Sequence, residues 1–346
     1  MVVRTGAFSY LQYGYEVDGC DDTTFGTVAA AMNKTFGLEQ RITNWTFTNN
    51  RITLAELNQV EPAIYAYGTT RGSIGVDFVL SNPWWLRSLW DCVSTACCMP
   101  EAGANLHTYI IGDKLLRPIS IEVGAAQECC NCVTRQLVGG IVNSVSLRSS
   151  IGEVVRGSAD ISYKTEIEAC VCITDPMCIA TDGVNFPYTF AYGALTTTAG
   201  TVAELQSFDI NLNQNSDLLY DHASSEAVDA YRKLFEVTGS FTASYVDVEL
   251  LRDIYAQARS ATVCCVSVGV DCQAFAREQT TLTLTFDNGL TGANRDTITM
   301  IGTGLGFADQ ATAIEPNEPI FETLNWQIRD MTVTAANGCA GPPADI

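Results

Sequence analysis

The chain has two histidines, His107 and His222, and four lysines, Lys34, Lys114, Lys164 and Lys233. So little imidazole leaves few groups that titrate near neutrality, and Asp221 beside His222 reads as a surface turn, because adjacent residues do not share a face. No Gly-x-Ser-x-Gly elbow or P-loop occurs, and Gly302-Thr-Gly-Leu-Gly306 lacks the spacing and following helix of a dinucleotide site. An enzyme is therefore not expected. Basic charge is also short: 19 Lys and Arg face 39 Asp and Glu, a formal net charge of -20. Adhesive binding to a phosphate backbone needs clustered cations and is excluded on this balance. The acidity itself has two readings, solubility or adaptation to a saline habitat, and a negative surface past which DNA slides without sticking. No apolar run reaches the roughly eighteen residues of a membrane span. No secretory signal is expected, since Met1-Val-Val-Arg-Thr-Gly6 runs into an aromatic, turn-rich stretch. With 47% hydrophobic and 17% charged residues the chain is not disordered.

What the sequence does contain is a duplication. Arg71-Gly-Ser-Ile-Gly-Val-Asp-Phe78 is echoed by Thr238-Gly-Ser-Phe-Thr-Ala-Ser-Tyr245, each an alternating run of period two opened by Gly-Ser. A Leu-Arg-x-aliphatic-aromatic cluster follows each copy, Leu86-Arg-Ser-Leu-Trp90 and Leu251-Arg-Asp-Ile-Tyr255. Upstream, Ile42-Thr-Asn-Trp-Thr-Phe47 matches Leu205-Gln-Ser-Phe-Asp-Ile210, and downstream Pro118-Ile-Ser-Ile-Glu-Val123 matches Thr281-Leu-Thr-Leu-Thr-Phe286. With Ala63-Ile-Tyr-Ala-Tyr67 against Ala227-Val-Asp-Ala-Tyr231 as a fifth block, the offset stays between 163 and 167 residues, which chance does not hold through five blocks. Closing strands are expected as two pairs, 141–147 with 154–163 and 297–305 with 320–328. Residues 227–234 read either as a strand or, capped by Ser224 and Ser225, as a helix. The predicted fold is mainly β, with two tandem sandwich or barrel modules, each with a short helix and loop insertions. The expected divisions are an N-terminal arm over 1–40, modules over 41–166 and 203–330, a cysteine-bearing linker over 167–202 and an unpatterned tail over 331–346. Trp84, Trp85 and Trp90 are expected to fill core and interface.

The 14 cysteines are the strongest chemical signal. Cys92, Cys97 and Cys98, then Cys129, Cys130 and Cys132, then Cys170, Cys172 and Cys178, then Cys264, Cys265 and Cys272 form groups in predicted loops, with Cys20 and Cys339 apart. Disulfides that staple loops are the favoured reading. A zinc site of Cys97, Cys98, Cys129 and Cys132 is the weaker alternative, since no second C-x-x-C stands at ribbon spacing. Buried free thiols are the third. Pairing is not deducible from the spacing.

Three segments resemble the major tail tube proteins of long-tailed bacterial and archaeal viruses. They are the aromatic N-terminus through Tyr13-Gly14 and Phe25-Gly-Thr27, the block Gly140-Ile-Val-Asn-Ser-Val-Ser-Leu147 leading to Gly152-Glu-Val-Val-Arg-Gly-Ser-Ala-Asp-Ile161, and Val237-Thr-Gly-Ser-Phe241 with Leu282-Thr-Leu-Thr-Phe-Asp-Asn-Gly289. The cysteine-rich insertions depart from the usual pattern. The resemblance implies sheet edges that pair between modules, trimeric rings of pseudo-sixfold symmetry, and head-to-tail stacking into a tube. It implies passage of DNA and a tape-measure protein, with terminator and baseplate proteins as further partners, in a virion assembled in the host cytoplasm, with no cofactor and no membrane. Acidic candidates for a lumen face, by alternation, are Asp77, Glu122, Asp160 and Asp247. Three other readings stay open at this level: a secreted or surface-layer adhesin of disulfide-stapled sandwiches, a zinc-dependent enzyme, and another tail or baseplate component.

Overall fold

The computed structural model describes residues 9–16, 25–50, 52–54, 64–66, 68–90, 92–97, 105–111, 116–125, 133–169, 186–197, 200–201, 205–222, 224–244, 281–291, 295–313 and 320–337. The chain is mainly β, and its strands in the first part are β1 Ser9–Tyr15, β2 Leu38–Asn49, β3 Ile52–Leu54, β4 Ile64–Ala66, β5 Thr70–Val79, β6 Cys92–Cys97, β7 Asn105–Ile110, β8 Ile119–Ala125, β9 Val133–Ser150, β10 Arg156–Tyr163 and β11 Thr165–Ala169. They continue as β12 Ala194–Thr197, β13 Gly200–Thr201, β14 Leu205–Asn213, β15 Asp217–Tyr220, β16 Ala227–Tyr231, β17 Glu236–Ser244, β18 Thr281–Asp287, β19 Thr297–Thr303, β20 Gly306–Ala313, β21 Phe321–Ile328 and β22 Asp330–Asn337. Short 3-10 turns cover Trp84–Ser88 and Phe190–Tyr192.

One long sheet runs β2-β5-β10-β9-β14-β17-β21-β20, antiparallel throughout. Its strands form because apolar residues alternate with small polar ones: Ile74, Val76 and Phe78 of β5 are buried while Ser73 and Asp77 are half-exposed, and in β21 Leu324, Trp326 and Ile328 turn inward. The same connectivity is written twice, β2-β5-β10-β9 and then β14-β17-β21-β20. A second layer repeats likewise, β1-β8-β9-β11 in the first half and β12-β18-β19-β22 in the second. In the second half this layer is extended by β7 and β6, which lie in the first half of the sequence. The layers meet on aromatic contacts, Phe208 of β14 lying 5.4 Å from Phe286 of β18 between ring centroids. Tyr13, Phe36, Phe78 and Trp85 form a continuous chain of such contacts in the first half.

A corner carries each half from one layer to the other. Gly139 sits at φ 68° inside β9, and the Lys164 amide donates to the Val138 carbonyl at 3.0 Å. Its counterpart is Gly304 at φ 69°, with the Arg329 amide donating to Thr303 at 3.2 Å. A Cβ at Gly139 would stand 2.7 Å from Cβ of Lys164, and one at Gly304 3.0 Å from Cβ of Arg329. Both positions need glycine for the backbone and for the space.

Several expectations are corrected here. Residues 297–305 and 320–328 do not pair with each other: β19 belongs to the second layer, and β20, which lies between them in sequence, is the partner of β21. Of the two readings of 227–231, strand and helix, the structure has the strand, β16. The tail expected from 331 begins inside β22, whose Met331, Val333 and Ala335 are buried between β19 and β7. The arm expected over 1–40 contains β1, laid on β8 with Leu11, Tyr13 and Tyr15 in the core.

Candidate assembly surface

The long sheet has two open ends. β2 pairs only with β5 and β20 only with β21 among the described residues. An open strand presents a row of unmet amide and carbonyl groups and is a template for another strand. The interior of the same sheet shows how such ends can meet, because β9 and β14 join the two halves over the register Ser150↔Ser207 to Ser144↔Asn213. In the repeated connectivity β9 corresponds to β20 and β14 to β2.

Side chains on these two first strands differ in burial. The inward residues of β14 are closed off, with Phe208 at 7%, Ile210 at 0% and Leu212 at 0% exposure. On β2, Ile42 and Trp45 are only partly buried, and Phe47 is 44% exposed although it stacks on Tyr163 at 6.3 Å.

The outward face of the long sheet is a hydroxyl and amide surface. One row runs Arg41, Asp77, Ser158, Ser146, Asn211, Thr238, Gln327 and Gly306 across all eight strands, and all of these are half-buried or exposed. A neighbouring row sets Arg156 beside Arg148, then Asp209, Ser240 and Asn325. Another sets Asp160 beside Ser144, Asn213 and Glu236. Arg71 shares the face and approaches Asp217 of β15 at 3.6 Å, and Arg156 lies 3.8 Å from Glu39. Acids and arginines are mixed on this face, with Arg41, Arg71, Arg148 and Arg156 standing among Asp77, Asp160, Asp209 and Glu236.

Of the predicted lumen acids, Asp77 and Asp160 stand on this face, half-buried and exposed. Glu122 does not: it is wholly buried in β8, accepting from the Tyr10 hydroxyl at 2.5 Å and the Gln136 amide at 3.2 Å. Alternation gives the parity of a side chain but not which layer covers it, and β8 is flanked by β1 and β9. Burial, with Glu122 alongside, pushes the Tyr10 hydroxyl well above its ordinary pKa. Asp247 lies outside the described residues. So do all the cysteines but Cys92 and Cys97, whose backbones belong to β6, the outermost strand of the second-half layer. The zinc set of Cys97, Cys98, Cys129 and Cys132 therefore falls mostly outside them, and among the described residues no group of three or more His, Cys, Asp or Glu is placed to hold a metal. Among them, too, no helix is long and apolar enough to cross a membrane.

His107 is buried beside Trp84, its Nδ1 2.9 Å from the Thr95 hydroxyl. His222 turns its backbone amide, not its ring, to the Asp221 carboxylate at 2.6 Å. Trp85 and Trp90 are fully buried, as expected of core, and Trp90 donates to the Met331 carbonyl at 3.3 Å. Sequence reasoning passed over Glu16. Its carboxylate accepts from the amides of Gly139 at 2.6 Å and Gly26 at 2.8 Å and from the Ser120 hydroxyl at 2.8 Å, tying the end of β1 to the first corner. Burial raises its pKa, opposed by these hydrogen bonds and by Lys164. The only signal for it was an acid closing an aromatic strand.

These residues define a mainly β protein of antiparallel sheets. Comparison with known families gives this fold a biological place: the phage tail tube protein family matches residues 19–328, and the chain belongs to that family. It is accordingly a structural component of the virion tail that self-assembles with other tail proteins into a tube. The family is not one of enzymes. No curated protein matches the chain.

Proposed function

We propose that the chain carries two tube domains and that three copies close into a ring of pseudo-sixfold symmetry. The observation that carries this is the internal junction: β9 and β14 pair within the chain, and their counterparts β20 and β2 have no further partner strand among the described residues. An eight-stranded antiparallel path has ends of opposite direction, so β20 of one copy meets β2 of the next antiparallel, continuing the alternation without a break. Closure abolishes the edges, and rings stack head to tail into a tube of the long-tailed virus type.

The outward face of the long sheet lines the bore in this reading, through which DNA and a tape-measure protein pass, with terminator and baseplate proteins at the ends. Its low adhesion rests on the absence of lysine and on arginines set among acids, Asp77 and Asp160 included, more than on a negative wall. The clustered cysteines serve as staples of the loops, and the tube is assembled in the host cytoplasm. Electron microscopy of the purified protein tests the proposal. Hollow stacked rings of three copies are expected; discrete monomers under every salt and redox condition would overturn it.

A further inference from the structure

The junction between the halves holds more than a pair of strands. β9 and β14 are hydrogen-bonded from Ser150↔Ser207 to Ser144↔Asn213, but adjacent strands twist against each other by anything from about 10° to about 35°. Strand pairing alone therefore leaves the angle between the halves loosely set. β7, laid on β22, joins the halves in the second layer. A third join stands at the rim of the long sheet, where β14 ends and the β15–β16 hairpin begins.

The base of this hairpin is held on Asn143 of β9. The Asn143 carbonyl accepts from the Gln214 amide at 2.8 Å, and its side-chain oxygen accepts from the Ser216 amide at 3.0 Å and the Ser216 hydroxyl at 3.1 Å. Asn143 is the extra residue of a bulge, lying between Ser144, opposite Asp160, and Val142, opposite Ile161. A bulge leaves one residue out of the ladder, and here that residue receives the hairpin.

The far end reaches the first half. From β14 across β9 and β10 to β5 is three strand spacings, roughly 14 Å, and the four residues of β15 span roughly 13 Å. The hairpin accordingly lands on the start of β5, where the Thr70 amide donates to the Ser225 carbonyl at 2.8 Å and the Tyr220 hydroxyl donates to the Thr70 carbonyl at 2.9 Å. Glu226 accepts from the Thr165 hydroxyl at 3.3 Å and lies 3.9 Å from Lys164 at the first corner, while Asp217 meets Arg71 at 3.6 Å. Leu218 and Ala227 of the hairpin are buried, so it is seated on the molecule along its length.

We infer that the β15–β16 hairpin is a clasp that fixes the angle between the two halves, with Asn143, Tyr220 and Glu226 as its positioning residues. This rests on the ring proposed above and deepens it. Six halves close a ring only if each junction turns by one sixth of a circle, and the clasp sets that turn within the chain before a neighbour arrives.

The test is the Tyr220→Phe, Glu226→Ala double variant of the full chain, which removes contacts of the clasp and leaves the strands of the long sheet untouched. In the unassembled variant the Thr70 amide should exchange roughly tenfold or more faster than in the parent, with the amides of β9 and β14 unchanged. Electron microscopy should then show open arcs and rings of mixed copy number where the parent gives uniform rings of three. A mere loss of stability lowers the yield of rings without changing their size. Should the double variant not fold, Tyr220→Phe alone, which removes a single hydroxyl, carries the same comparison. Uniform three-copy rings from a variant whose Thr70 amide has been freed would overturn the clasp, and so would a Thr70 amide as protected as in the parent. Neither result touches the ring itself; failure of the parent chain to form rings would overturn that reading instead, whatever the exchange of Thr70 shows.

Discussion

Replacing Phe47 with Ala separates what the open β2 strand does for the single chain from what it does for the ring. Phe47 is 44% exposed in the chain. If a neighbouring β20 covers it as β9 covers the residues of β14, the area still to be buried is roughly 90 Å² of an aromatic's roughly 200 Å². At about 25 cal/mol per Å² that is about 2 kcal/mol per junction, or about 30-fold in the association constant. The critical concentration for tube formation, read by sedimentation or light scattering, should rise by at least that factor, because each ring has several identical junctions. The isolated chain should lose the Tyr163 stacking contact and the roughly 110 Å² already buried, about 2–3 kcal/mol. Leu212→Ala is the internal control. Leu212 occupies the paired strand β14 and is fully buried, so its truncation should cost the chain itself about 2–5 kcal/mol. An unchanged critical concentration for Phe47→Ala, measured under conditions where the variant chain is folded, would refute the assignment of β2 as an intersubunit edge.

Other perturbations follow from the same geometry. Gly139→Ala and Gly304→Ala should each destabilise the chain by about 1–2 kcal/mol from the positive φ alone, and Gly139→Ala should be the worse, since its Cβ meets Lys164 at 2.7 Å and the Phe25 ring at 3.2 Å; denaturant midpoints would show this, and equal midpoints to the parent would refute it. Arg148→Glu places like charges opposite Asp209 at the β9–β14 junction and should cost about 0.5–1 kcal/mol, regained in the Arg148→Glu, Asp209→Arg double variant; absence of rescue would count against the pairing. For Glu16 the folded pKa is raised, so the folded chain holds the proton more tightly than the unfolded one. The ionised carboxylate therefore weakens the fold above its unfolded-state pKa, and this penalty fades as pH falls through the raised value. The melting difference between the parent and Glu16→Gln should accordingly shift in favour of the parent as pH is lowered through that window, and a pH-independent difference would refute it.

The duplicated Gly-Ser strands were legible because each half buries one face of a period-two pattern, and the pattern survives in Ile74, Val76 and Phe78 and again in Phe241 and Ala243. The pairing of strands was less so. β19 and β20 are cut by the turn at Gly304, whereas their first-half equivalents run on as the single strand β9, and nothing in local composition says which of two successive strands a third will choose. β22 was missed because its buried positions include Ala335 and Ala336, small residues of weak strand preference that suit it to close packing between β19 and β7. Glu122 was misplaced for a related reason: an acid in an alternating strand reads as solvent-facing unless a partner such as Tyr10 can be seen to satisfy it. The Ser144, Ser146, Ser150 spacing was the fair signal of the outward face, and it was present in the sequence.

The covalent joining of two halves bears on assembly as well as on shape. A ring of single modules needs five bimolecular steps to gather six pieces, and each step loses translational and rotational freedom worth about 4 kcal/mol or more. Three double chains need two. The internal β9–β14 and β22–β7 contacts are formed at folding, when their effective concentration is high, and in the proposed ring only the β20–β2 contact waits for a neighbour. The two kinds of junction are then free to diverge in strength. The preformed one holds the opposed pair Arg148 and Asp209 and fully buried side chains on β14, while β2 keeps two register shifts against β5 and an exposed aromatic. Such an edge resists pairing with the wrong strand while the chain is alone, because bulges twist it away from a flat partner. A straighter β2 should therefore pair less selectively, trading ring formation for irregular aggregates at the same concentration.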